Sequence, residues 1–105
     1  MHRPQVGSVT LRLAVTELAT TCLVAFRGSL DGGSEAYVTA TFAEIDSPAV
    51  VNLGGLSWID ETGMSVLLHA KRRLERRGHS FSVIGAPMAI RRALEEAGLG
   101  ELLAG

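Results

Sequence analysis

A single cysteine, Cys22, excludes a disulfide framework within the chain and a cysteine-rich zinc site. No apolar run approaches the roughly 18–20 residues that a membrane-spanning helix needs, so membrane insertion is not expected. The opening residues, Met1-His2-Arg3-Pro4-Gln5, lack the apolar core of a secretory signal, and a reduced, cytoplasmic setting is the expectation. Neither sign of charge is in surplus. Ten basic and eleven acidic side chains leave a formal net charge of −1, which argues against direct nucleic-acid binding driven by overall charge. Strings of the form Gly-x-x-x-x-Gly-Lys or Gly-x-Gly-x-x-Gly are missing, so a phosphate-loop NTPase is unsupported. His2, His69 and His79 show no metal-ligand spacing, and no Ser/His/Asp or Cys/His arrangement is evident. The expectation is a binding protein with no catalytic residue, no metal and no cofactor.

What is present suits one domain. The chain has 105 residues, 47% hydrophobic and 20% charged, an ordinary globular composition. At this length about 60–70% of the unfolded surface is buried, enough for one real core. Residues 1–105 read as a single domain, with 1–7 and 104–105 expected to be loosely ordered. The charge is unevenly placed: seven bases and one acid, Glu75, lie between His69 and Arg92, whereas residues 1–68 hold seven acids and three bases.

Period two comes first. Val9, Leu11, Leu13 and Val15 alternate with Thr10, Arg12 and Ala14, as in a strand with one buried face. After a hairpin connection near Glu17-Leu18-Ala19, the run Cys22–Phe26 is continuously apolar and suits a strand covered on both faces. The stretch Gly28-Ser29-Leu30-Asp31-Gly32-Gly33 breaks it. Val38, Thr41, Phe42 and Ile45 then take helical spacing, with Ser34 as N-cap and Asp46-Ser47-Pro48 as stop. Ala49–Leu53 reads as an interior strand ended by Gly54-Gly55. A second helix is expected from Asp60 to Arg77, with Gly78 as its stop and Gly63, Val66, Leu67, Ala70 and Leu74 on its buried face. Phe81–Ile84 is a further strand. Pro87 opens a last helix whose buried side is Ile90, Leu94 and Ala97, ended by Gly98; Leu99–Gly105 is a half-ordered tail. The order β-β-α-β-α-β-α implies an α/β fold with a mixed sheet, its later strands parallel and joined by right-handed crossovers.

One segment carries chemistry: Leu56-Ser57-Trp58-Ile59-Asp60-Glu61-Thr62-Gly63-Met64 leaves a buried strand and opens a helix. Asp60 as N-cap accepts from the free N–H groups of the first turn, Thr62 presents a hydroxyl there, and Gly63 lets backbone or another chain come close. The helix end favours anions. A phosphate on Thr62 adds about −1.5 to −2 charges, favoured by the helix end and opposed by Asp60 and Glu61. The plain reading of Asp-x-Thr-Gly at a helix start is a cap alone. Met64 and Leu68 lie off the centre of the buried face; they form either an exposed apolar contact beside Thr62 or part of the core. Trp58 reads as a core anchor or, less simply, as a partner hot spot. Lys71, Arg72, Arg73, Arg76 and Arg77 read as a solvated face that complements the helix C-terminus, or else as a patch for an acidic partner.

Over roughly residues 8–103 the chain resembles the STAS domain family, most closely its anti-sigma factor antagonists. The resemblance rests on Gly28-Ser29-Leu30-Asp31 after the second strand, on Val50-Val51-Asn52-Leu53 followed by Leu56-Ser57-Trp58-Ile59-Asp60, and on Asp60-Glu61-Thr62-Gly63. The last is similar to the family's Asp-Ser-Ser/Thr-Gly phosphorylation motif. Ser82-Val83-Ile84-Gly85 and the Arg91–Leu99 helix complete it. The resemblance implies a partner switch. An anti-sigma factor with serine/threonine kinase activity modifies the residue before the motif glycine, here Thr62. The unmodified antagonist binds that factor, the modified one releases it, and a protein phosphatase resets it. The implied partner-binding residues are Asp31, Asp60, Glu61, Thr62, Gly63, Met64 and Leu68; a homodimer is left open. Glu61 departs from the family's serine and puts a fixed charge beside the acceptor. Small STAS proteins are also similar to accessory subunits that brace the ATPase of phospholipid ABC transporters, and to scaffold components of stress-signalling complexes.

Overall fold

The computed structural model describes residues 10–103; the expected loose ends at 1–7 and 104–105, and Val9, lie outside the described residues. Strands β1 (Leu11–Glu17) and β2 (Cys22–Leu30) form an antiparallel hairpin whose connection is held by the Leu18 N–H donating to the Thr21 carbonyl at 2.8 Å. Strand β3 (Ala49–Ile59) adds in parallel to β2, and β4 (Phe81–Ile84) in parallel to β3, giving the order β1-β2-β3-β4. Helices α1 (Glu35–Ala43), α2 (Glu61–Arg76) and α3 (Met88–Glu96) follow β2, β3 and β4. Single 3-10 turns lie at Gly32–Ser34 and Gly100–Leu103. The mixed sheet and the element order are those expected.

Cover on both faces of β2 is corrected. Cys22, Val24 and Phe26 are buried while Leu23, Ala25 and Arg27 are exposed, so the apolar run is half in solvent. The reason is topological. Strands are added always to the same side, 2 to 3 to 4, and right-handed crossovers then set every connecting helix on the same face. The core is therefore one layer between sheet and helices. Its centre is a chain of rings, Phe26 to Phe42 at 6.4 Å and Phe42 to Phe81 at 5.9 Å between centroids, which ties α1 to the sheet.

Two strands outrun their expected ends. Gly54-Gly55 does not stop β3, nor Gly28 β2, because the glycines serve a bulge. Ala25 pairs with Asn52 but Arg27 with Gly55, so β3 carries one extra residue there. A Cβ on Gly55 would stand 2.6 Å from the Phe26 carbonyl oxygen, which only glycine avoids. A second slip, from Gly28–Leu56 to Ser29–Trp58, inserts another residue. Simple alternation from Leu56 would put Trp58 inside; the bulge puts Ile59 inside and leaves Trp58 58% exposed, against the expectation of a core anchor.

Other corrections share one cause, the position of neighbours. Met64 is only 8% exposed and Leu68 packs partly against the core, because α2 meets both α1 and the final 3-10 turn and buries a wider arc than one stripe. Val15 faces the same way as buried Val24 yet remains exposed at the edge of the sheet, and Ala97 is exposed at the C-cap of α3. The tail is not loose over its described part, since Leu102 is a core residue. α1 ends at Ala43, short of Ile45, which is buried just after it.

Candidate functional site

Leu30 and Ile59 are paired neighbours at the ends of β2 and β3, and each is followed by an aspartate. Both aspartates cap. The Asp31 carboxylate accepts from the Gly33 N–H at 3.0 Å and the Asp60 carboxylate from the Gly63 N–H at 2.8 Å. Two parallel chain segments thus leave the sheet side by side with the same device, each aspartate satisfying a donor that has no partner within its helical turn. The Asp60 N–H donates to the Leu30 carbonyl at 3.2 Å and cross-links the two exits.

Thr62 stands on the first turn of α2 and is exposed. Its side chain lies over the neighbouring turn: a Cβ on Gly32 would be 3.8 Å from Thr62 Cγ2 and 3.9 Å from its Oγ1. Asp31, Asp60, Glu61 and Thr62 therefore gather at one end of the sheet, just past the C-terminal ends of β2 and β3. Gly63 and Met64 are not part of that surface. Gly63 is buried, with a would-be Cβ 2.3 Å from the Leu30 carbonyl oxygen; the close approach it allows is that of β2, within the molecule. With Met64 buried and Leu68 partly so, the expected apolar ledge beside Thr62 is absent, and the exposed Trp58 is the large apolar side chain nearest in sequence.

Ser34 occupies the expected N-cap position of α1, but its side chain makes no capping bond. It is fully buried, its Oγ 3.2 Å from the Ser29 carbonyl oxygen and 3.3 Å from Asp31 Oδ1, so it braces the Asp31 loop from below. The sequence signal was the repeated apolar-Asp step at the two strand ends, Leu30-Asp31 and Ile59-Asp60, which marks Asp31 as the cap.

Removing the Asp60 cap, Asp60→Ala, costs about 1 kcal/mol. It is expected to lower Tm by about 4–8 °C in a domain this size, whereas Asp60→Asn keeps most of the effect; thermal unfolding followed by circular dichroism measures both.

Away from this end of the sheet, His79 Nε2 lies 2.9 Å from Asp46 Oδ1. The hydrogen bond from His79 outweighs the opposing effect of desolvation and, with the nearby charges of His79 and Arg77, holds the Asp46 carboxyl below its ordinary 3.8. A carboxyl depressed in the folded state contributes stability above its unfolded value and loses it as pH falls through the folded one. Asp46→Asn is accordingly expected to flatten the decline of Tm below about pH 4. Burial, and then Glu17, raise the Cys22 thiol, which keeps it protonated and unreactive. Among the described residues no cluster of three or more His, Cys, Asp or Glu is placed to hold a metal ion, and no helix is long and apolar enough to cross a membrane.

This sheet, with helices on one face and a capped threonine-bearing turn at the end of a central strand, defines a class. The chain belongs to the STAS domain family: the family model described as "Mlab, STAS domain" matches residues 13–104. Among named relatives it is similar to the anti-sigma-F factor antagonist RsfA of Mycobacterium tuberculosis, 26% identical over 115 residues, covering 98% of this chain and 90% of that protein. Its fold is similar to that of an anti-sigma factor antagonist from Mycobacterium paratuberculosis, at TM-score 0.72 and 20% identity, covering 89% of this chain and 82% of the other. It is also similar to SpoIIAA. The unphosphorylated anti-sigma factor antagonist gives a TM-score of 0.70 at 18% identity over 88% and 85% of the two chains. The phosphorylated form, described as a Bacillus cell fate determinant, gives 0.61 at 20% over 88% and 88%.

Proposed function

We propose that this protein is an anti-sigma factor antagonist. It binds an anti-sigma factor through the surface formed by Asp31, Asp60, Glu61 and Thr62, and phosphorylation of Thr62 by that factor's serine/threonine kinase activity releases it. Binding in the unmodified state frees the sigma factor, and a protein phosphatase restores the unmodified state. The observation that carries this reading is the exposure of Thr62 on a first helical turn whose flanking carboxylates, Asp31 and Asp60, are engaged in caps. The hydroxyl stands at the surface while the surrounding loops are fixed. Similarity to RsfA along nearly the whole chain supports the partner class, and the solved phosphorylated form of SpoIIAA supports a modification on this fold. The role needs no catalytic group or cofactor of the chain's own.

The test is incubation with a kinase-type anti-sigma factor and ATP, followed by intact mass and site mapping. One phosphoryl group, confined to Thr62 and absent from Thr62→Ala, is the expected result; modification elsewhere, or none while the factor phosphorylates another antagonist, removes the switch.

A second reading uses the same surface without modification: constitutive docking on the ATPase of a phospholipid ABC transporter. Glu61, exposed beside Thr62 where the family carries a serine, favours it, because a fixed charge at that turn suits docking that is not regulated by modification. Stable copurification with such an ATPase and no phosphoryl adduct distinguishes it from the first.

A further inference from the structure

Thr62, Val66, His69, Arg73 and Arg76 follow one another at steps of four, three, four and three residues, which places them on one stripe of α2. The chain from Gly32 through α1 runs beside this stripe. Gly32 neighbours Thr62 at one end, and Phe42 shares a groove with Val66 and Arg73 at the other. That groove has a volume of about 230 Å³. Its floor is apolar, with Phe42 and Val66 both buried; its rim is His69, Arg72, Arg73 and Arg76, and no acidic residue lines it.

The arginines here differ from those nearby. Lys71 pairs with Glu75 at 2.6 Å, and Arg77 Nη1 donates to the Ile45 carbonyl at 3.1 Å. Among the described residues, Arg72, Arg73 and Arg76 enter no ion pair with a carboxylate. The Arg73 Nε–H is buried and meets no acceptor. That enclosure fixes the Arg73 side chain at the rim, and guanidinium with carboxylate forms the strongest directional pair available to the arginines there. The expectation of a merely solvated basic face therefore fails at Arg73.

We propose that this groove receives an acidic, amphipathic segment of a protein partner, with an apolar side chain over Phe42 and Val66 and carboxylates on Arg73 and Arg76. The chemistry selects this occupant. A nucleic-acid backbone would use the cations and leave the apolar floor empty, and no exposed aromatic lines the groove for base stacking. A lipid surface needs an apolar face that projects, and this one is recessed behind arginines. An amphipathic helix laid in a groove satisfies both parts at once. The stripe also sets a length: eleven residues separate Arg73 from Thr62, about 16 Å along a helix. The proposal concerns the unmodified protein and does not depend on phosphorylation of Thr62.

The test uses the full chain labelled with nitrogen-15 and two synthetic peptides of about four helical turns. One is built of glutamate with leucine at every third or fourth position, the other has lysine in place of glutamate. The glutamate peptide is expected to shift amides of α1 and of His69–Arg76. Its affinity should fall as salt rises, and it should weaken at least fivefold for the double variant Arg73→Gln with Arg76→Gln. Thr39→Glu, which sets a carboxylate in the groove from α1, is expected to weaken the peptide as well while leaving the fold intact, and so serves if the arginine variants fail to fold. The idea is overturned by equal binding of the lysine peptide, by shifts away from these segments, or by unchanged affinity in the variants. It is equally overturned if the glutamate peptide is inert while phosphatidylglycerol vesicles or single-stranded RNA bind at the groove.

Discussion

Gly63→Ala is expected to destabilise the fold by about 1–2 kcal/mol net and to lower Tm by roughly 4–16 °C. The added Cβ would stand 2.3 Å from the Leu30 carbonyl oxygen and 2.9 Å from its carbon, both backbone atoms that no rotamer change can move aside. Overpacking of this kind costs about 1–3 kcal/mol. Against it, alanine is about 0.8–1.0 kcal/mol better than glycine inside a helix, and that gain is smaller in a first turn where three N–H groups lack helical partners. The clash wins. To relieve it, α2 must move away from the end of β2, which stretches the bond from the Asp60 N–H to the same Leu30 carbonyl. Gly32→Ala is the matched control, because its Cβ would meet Thr62 only at ordinary contact distance, 3.8 Å, and its effect on stability should stay within about 0.5 kcal/mol. Denaturant titration of the three proteins gives the answer. A Gly63→Ala midpoint equal to wild type would mean that the glycine is there for a partner and not for β2.

Thr62→Glu is expected to weaken binding of the anti-sigma factor at least tenfold, and Thr62→Ala to leave it near wild type, both read by isothermal titration calorimetry. Tenfold corresponds to about 1.4 kcal/mol. A carboxylate enclosed at an interface without a cation costs several kcal/mol, so even partial enclosure suffices. Fold and binding separate cleanly at this position. A negative side chain at a helix N-terminus gains about 0.3–1 kcal/mol, which offsets repulsion from Asp60 and Glu61, so Thr62→Glu should keep a Tm close to wild type. Loss of affinity with a Tm close to wild type is the signature of a charge switch; equal affinity of both variants for the partner removes it. Glu61 already places one charge on the same turn, so Glu61→Ser is expected to tighten binding modestly and to widen the gap between the two Thr62 variants.

Much of the site is legible in the amino-acid sequence. The Asp60 cap, the exposed Thr62 and the buried stripe Gly63, Val66, Leu67, Ala70 and Leu74 follow from local rules: an N-cap needs a side-chain acceptor, and helical spacing repeats every 3.6 residues. Trp58 and Met64 were harder because their surroundings are not local. Trp58 turns outward through a bulge whose extra residue is defined only against β2, and Met64 turns inward because α2 has neighbours on more than one side. Ser34 stands at the N-cap of α1 as the spacing says, but its side chain braces the preceding loop, and the side-chain cap is Asp31's, on the 3-10 turn before α1.

The order of elements, the mixed character of the sheet and the chemistry at the head of α2 are written locally in the chain, because propensity, period and capping act within a few residues. The tertiary structure alone decided that one face of the sheet stays bare, that Gly63 answers to the end of β2, and that cationic side chains of α2 rim a groove shared with α1. Each of those depends on contact between segments far apart in the chain, and the handedness of crossovers and the packing of backbone against backbone set such contacts only once the whole chain is folded.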